Sequence, residues 1–320
     1  MTQPKSAGAG HAVGPGDRTI VRGTVGPEGA RLSYLAAEGG AGGETILLIH
    51  GAGVSARSWI HQLEGLAGTL RVLALDLPGR GESAAIREPS VEGYAESAHR
   101  LLAALGTGPV WVAGHSLGGA VAQALAARHP ERVKGLVLIS SCARLPRSES
   151  PLQRLSWLLL PTPVRKVLFF LTVKKFLFAP DASRQAFVLG MEELRSCPEE
   201  TLGGDVAAAR VMDLEEAARR LHLPALIVCG SLDRLTPPAL SAQLQALIPG
   251  AHLDIIEGAG HMLPLERPDE LNARLRAFVR AGAPAATTPR AAAVDWRALG
   301  SALRRLLERA RAARRRGEQR

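Results

Sequence analysis

Residues 109–120 read PVWVAGHSLGGA, an apolar run that breaks at Gly114-His115-Ser116-Leu117-Gly118-Gly119 and resumes as the alanine-rich VAQALAA. The pattern is a strand, a sharp turn and a helix, with a serine at the apex. Gly114 and Gly118 stand where a side chain would collide with the facing backbone, so the turn can be tight enough to push the Ser116 hydroxyl clear of the sheet. Serine is a weak nucleophile until a base takes its proton, and the first N–H groups of the following helix can receive a developing oxyanion. A bare G-x-S-x-G also fits a purely structural turn, so its partners elsewhere in the chain decide the matter.

Working outward, the rhythm is strand then helix. Two short β-rich pieces at 19–25 and 31–37 lead into the buried run TILLIH at 45–50, with further strands near 70–75, 110–114 and 134–140. Helical stretches near 57–68, 91–105 and 117–129 separate them. The alternation stops after Ser141 and returns at LPALIVCG, 223–230, followed by a helix near 238–247, a strand near 251–256 and a helix near 268–281. Strand–helix alternation at this spacing specifies a mostly parallel, doubly wound sheet covered on both faces, here eight-stranded with two antiparallel edge strands. The core is thus expected over 18–141 and 223–282. The insert between them, 142–222, is helical in character and holds five of the six phenylalanines, a greasy cap. Residues 1–17 are rich in Gly, Ala and Pro and are expected to be disordered, 283–294 read as a linker, and 295–320 as a basic amphipathic tail helix.

Composition bounds the partners. The chain has 320 residues, 46% of them apolar, enough for a large core. Its net charge of +9 resides mainly beyond residue 283, where ten arginines against Asp295, Glu308 and Glu318 supply +7. The body is nearly neutral, so no nucleic-acid partner is expected, while the basic tail and the Lys/Arg-interrupted cap would suit peripheral contact with an anionic membrane. No run reaches the ~18–20 apolar residues of a membrane span and the N-terminus lacks a signal-peptide core, so a cytoplasmic location is the expectation. Cys142, Cys197 and Cys229 are odd in number and widely spaced, which fits reduced thiols rather than a disulfide framework or a zinc site. No P-loop, dinucleotide fingerprint or metal-ligand spacing competes, so neither metal nor cofactor is expected.

Ligands of such sheets bind at the carboxyl edge of the strands. There the chain supplies Asp233, in GSLDRLTPP, and His261, in EGAGHMLPLERP, each on the loop after a strand. The rival His252 opens its strand at the opposite edge, and Glu257 is the alternative acid. Upstream, His50-Gly51-Ala52-Gly53 follows the first buried strand. Leu117 can give one oxyanion N–H, and Ala52 is the candidate for the second, with His50, Gly51, Gly53 and His115 as support. In the cap, Trp157, Phe169 and Phe170, with Met262 beside His261, are candidate pocket residues.

On HGAG at 50–53, DLPGRGES at 76–83, GHSLGG at 114–119, GSLDRLTPP at 230–238 and GAGHMLPLERP at 258–268, the chain resembles the α/β-hydrolase superfamily across roughly 18–282. The resemblance implies Ser116 as nucleophile, His261 as general base and then acid, and Asp233 as the residue fixing the histidine tautomer. It gives Asp76 a structural role only, and Ser116 disfavours the relatives that use an aspartate nucleophile. The expected function is hydrolysis of a carboxylic ester of a moderately hydrophobic, small-molecule or lipid-like substrate. A carbon–carbon bond hydrolase, a thioesterase or a perhydrolase would use the same triad. A non-catalytic recruiting scaffold is the reading of a different class.

Overall fold

A computed structural model describes residues 19–39, 43–146 and 173–282. Eight strands form one sheet: β1 (Ile20–Val25), β2 (Leu32–Ala37), β3 (Thr45–Ile49), β4 (Arg71–Leu75), β5 (Val110–His115), β6 (Val133–Ile139), β7 (Ala225–Gly230) and β8 (His252–Ile256). Their order is β1-β2-β4-β3-β5-β6-β7-β8. β1 pairs antiparallel with β2 and β2 with β4, and every later pairing is parallel. The expected architecture is therefore present, including the antiparallel edge.

The alternation of side chains along β3 builds both layers. Leu47 and Ile49 enter one apolar core, Ile46 and Leu48 the other, all fully buried. The first core is closed by α2 (Val91–Ala104) and α3 (Leu117–Arg128), the second by α1 (Ile60–Leu66), which contributes Leu63 and Leu66. α3 is buried around most of its girth, from Leu117 to Ala126, because it lies at the centre of its layer. Between β6 and β7 come α4 (Arg184–Ser196), α5 (Glu199–Val211) and α6 (Glu215–Arg219); α7 (Pro238–Leu247), α8 (Leu263–Glu266) and α9 (Pro268–Ala281) complete the chain order.

The inserted segment divides by what it packs on. Met212, Leu214, Ala218 and Leu221 join the main core with α3 and α7, so the stretch around α6 is part of the body's own layer. Phe178, Ala186 and Met191 instead form a separate apolar cluster with Val54, Met262 and Leu265 of the body. Among the described residues no helix is long and apolar enough to cross a membrane.

Candidate active site

Ser116 sits between β5 and α3 with φ 53 and ψ −119, a left-handed backbone that a serine adopts only under constraint. The two glycines expected to permit the turn do so: a Cβ at Gly114 would lie 2.1 Å from the Gly118 carbonyl oxygen, and one at Gly118 would lie 2.1 Å from the Ile49 oxygen. The Ser116 N–H donates to the Ile139 carbonyl (2.9 Å) and its own carbonyl accepts from Ser141 Oγ (2.8 Å), which pins the apex to β6. Ser116 and Ala52 are half-buried, while the residues around them are closed off.

The candidate acid and base, Asp233 and His261, lie on the loops after β7 and β8. His261 Nδ1 and Asp233 Oδ2 are 2.9 Å apart, and both side chains are almost wholly buried. The other carboxylate oxygen, Oδ1, accepts the N–H groups of Leu235 (2.9 Å) and Thr236 (2.8 Å). Burial works to raise the Asp233 pKa, yet the charge and hydrogen bond of His261 with those of Thr236 outweigh it, and the carboxyl is held below its ordinary value. Asp233 is thus an anion facing Nδ1, which leaves Nε2 to work as a base.

Two further histidines have tautomers fixed by their partners. The Leu77 N–H donates to His50 Nε2 (3.0 Å), so the His50 proton lies on Nδ1 and is donated to the Gly51 carbonyl (2.8 Å). Since a trans peptide points its C=O and N–H in opposite directions, His50 thereby sets the direction of the Ala52 N–H. His115 Nε2 donates to the His261 carbonyl (2.8 Å), and its ring centre lies 4.9 Å from that of His261. Burial first, then the charge of His261, pushes the His115 pKa down to about 3, so it stays neutral when its neighbour takes a proton.

The rival residues are elsewhere. His252 is exposed at the first position of β8, Asp254 is paired with Arg274 (3.4 Å), and Glu257 is exposed and accepts from Ser231 Oγ (3.0 Å). Met262 is buried against the insert, its N–H donating to the Leu177 carbonyl (2.9 Å), whereas Trp157, Phe169 and Phe170 lie outside the described residues. His99 of α2 and His129, just after α3, stack at 3.7 Å and 9° from parallel, and with Glu131 bring three ligand-type atoms within 4.8 Å of one another, a group that includes none of Ser116, Asp233 and His261. A cavity of about 270 Å³ lined by Cys142, Arg144, Glu215, Leu240 and Leu244 includes none of Ser116, Asp233 and His261.

Sequence reasoning missed several supports. Thr236 Oγ1 is 2.8 Å from Asp233 Oδ2, 2.9 Å from the Ser140 carbonyl and 3.1 Å from His261 Nδ1. Glu266 Oε2 accepts the N–H of Gly260 (3.1 Å), next to His261, and of Ala179 (2.9 Å) in the insert. Asp76, fully buried, accepts from Arg22, Ser33 and the Ala56 N–H, a structural tie as expected. Asp205 and Glu193, from α5 and α4, reach the loop after β3. The one signal in the sequence for these is the TPP that follows Asp233, where a threonine can turn back onto the acid.

Known proteins are similar to this chain in sequence and in fold. A pimeloyl-[acyl-carrier protein] methyl ester esterase of Neisseria meningitidis is 31% identical over 74% of this chain and 93% of its own length. A dihydrolipoyllysine-residue acetyltransferase component of an acetoin cleaving system from Pseudomonas putida is 29% identical over 79% of this chain and 68% of its own. Among solved structures, an enol-lactonase from Burkholderia xenovorans superposes with a TM-score of 0.71 at 26% identity, covering 80% of this chain and 99% of that one. Matched over residues 46–274, from the first buried parallel strand into the last helix, the chain belongs to the alpha/beta hydrolase family.

Proposed function

We propose that the protein is a cofactor-independent serine hydrolase that cleaves a carboxylic ester with a moderately hydrophobic acyl group. The observation that carries this is the buried Asp233–His261 pair at the same sheet edge as the strained Ser116. Ser116 Oγ would attack the ester carbonyl while His261 Nε2 takes its proton. The Ala52 and Leu117 N–H groups would hold the oxyanion, and removing one such donor typically costs about 3 kcal/mol. Protonated His261 then releases the alcohol, and as a base it activates water to hydrolyse the acyl-enzyme. Asp233 keeps the proton on Nδ1 throughout.

The apolar cluster of Val54, Phe178, Met191 and Met262, flanking the oxyanion loop and the His261 loop, supports a hydrophobic acyl group. The esterase and lactonase names among the similar proteins support an oxygen ester. The likeness to an acetyltransferase component favours a second reading, transfer of an acyl group from a thioester through the same acyl-enzyme.

Turnover of p-nitrophenyl esters from acetate to palmitate, with Ser116→Ala as control, tests the proposal. Ser116-dependent turnover with an optimum at intermediate chain length is the expected result. Turnover that survives Ser116→Ala refutes the mechanism, and activity confined to acyl thioesters selects the second reading.

A further inference from the structure

We propose that the inserted helices hold the oxyanion loop in shape, with Asp205 of α5 as its positioning residue; this rests on the serine-hydrolase assignment above. Ala52 is flanked by two peptide planes. One contains the Gly51 carbonyl and the Ala52 N–H, and His50 anchors it from the body. The other contains the Ala52 carbonyl and the Gly53 N–H, and that N–H donates to Asp205 Oδ2 (3.2 Å). With both planes fastened, the backbone torsions of Ala52 have little freedom and its N–H keeps one direction.

The anchor is itself clamped. Arg80 Nη2 donates to the same Asp205 oxygen, and Arg80 Nε donates to the Val54 carbonyl (3.1 Å). One ion pair therefore holds the N–H of residue 53 and the C=O of residue 54, while Tyr94 Oη donates to the second oxygen, Oδ1 (2.7 Å). Both charged side chains are nearly solvent-free, at 3% and 2% exposure. Burying such a pair contributes little net stability compared with apolar residues of the same size, so the stability of the fold alone does not account for it. Its contacts with successive backbone groups of the loop do.

The insert also touches the loop by packing and by a second carboxylate. Gly53 has φ +79, and a Cβ there would lie 2.7 Å from Leu194 and 3.1 Å from Leu202, so α4 and α5 rest directly on its backbone. Glu193 accepts from both the N–H (2.9 Å) and Oγ (2.5 Å) of Ser55. Seating of the insert and the readiness of the oxyanion donor are thereby one event.

Asp205→Asn in the full chain keeps the volume and removes the charge. The loosened loop should lower kcat by about five-fold or more with KM changed less than about two-fold, since the oxyanion contact is made chiefly in the transition state. Affinity for an alkyl trifluoromethyl ketone, whose hemiketal oxygen occupies the same place, should fall by the same factor, with assays run below the onset of unfolding. Amide exchange over residues 51–55 should quicken. Wild-type kcat and ketone affinity in Asp205→Asn overturn the proposal. If that variant is recovered unfolded, Arg80→Lys, which keeps the charge pair but cannot reach both Asp205 and Val54, takes its place under the same criteria. A wild type without Ser116-dependent turnover would overturn the functional assignment instead, and the clamp would then stand or fall on amide exchange.

Discussion

Asp233→Asn should abolish the base without dismantling the loop that carries it. Oδ1 of Asp233 accepts two backbone N–H groups, from Leu235 and Thr236, and backbone donors cannot reverse their role. The carboxamide oxygen of the variant must therefore stay in that position. Its NH2 is forced into the place of Oδ2, at 2.9 Å from His261 Nδ1 and 2.8 Å from Thr236 Oγ1. A donor now faces Nδ1, so the imidazole shifts its proton to Nε2, the atom that has to take one from Ser116. Thr236 Oγ1 can accept from the new amide while donating to the Ser140 carbonyl at 2.9 Å, so no buried group loses its partner. The same exchange in a serine-protease triad costs about 10⁴-fold in kcat, or about 5 kcal/mol of barrier. Stability should fall far less, by about 1 kcal/mol, the difference between a charge-assisted and a neutral hydrogen bond. Initial rates at saturating short-chain p-nitrophenyl ester, normalised to folded protein and set beside Glu257→Gln, measure the effect. Retention of more than about a tenth of kcat in Asp233→Asn, or an equal loss in Glu257→Gln, would refute the forced-tautomer reasoning.

Three other perturbations have signs set by the same geometry. Ser116→Gly and Ser116→Ala should both be inactive, but only glycine relieves the φ 53 backbone, so its thermal midpoint should exceed that of the alanine variant, by about 1–2 kcal/mol of stability. Equal midpoints would mean the apex is unstrained. Thr236→Val removes the hydroxyl shared by Asp233, His261 and Ser140, and should lower kcat roughly ten-fold with recovery in Thr236→Ser; no recovery would trace the loss to packing. The pKa values of His50 and His115 lie below the ordinary 6.5, chiefly through burial, that of His115 at about 3. The unfolded chain then binds protons the folded one refuses, so stability is intact above about pH 6.5 and falls below it, by up to about 1.4 kcal/mol per pH unit for each histidine. Urea midpoints between pH 7.5 and 5 should decline less steeply in His115→Gln than in the wild type, and matching slopes would place His115 in contact with water.

Residue spacing was enough for the sheet and for which loops meet at its edge. Buried parallel strands such as TILLI and ALIVCG announce themselves as short apolar runs, and the spacing of Gly114 and Gly118 around Ser116 marks the elbow, although the carbonyl that Gly118 must clear belongs to Ile49 of β3. Because the sheet orders its strands in a regular way, the loops after β5, β7 and β8 had to share one edge, and Ser116, Asp233 and His261 followed.

What spacing could not reveal are partners chosen by proximity in the fold. Asp205 lies on a helix of the insert and finds Gly53, Arg80 and Tyr94, far from it along the chain, because its buried charge requires donors and the packing brings these within reach. Glu193 on Ser55 and Glu266 on Ala179 are the same kind of choice, and so is the entry of Leu214 and Ala218 into the main core. Periodicity shows that a helix has a buried face, but which polar atom it meets there depends on the position and rotation of one element against another, and only the tertiary structure sets those.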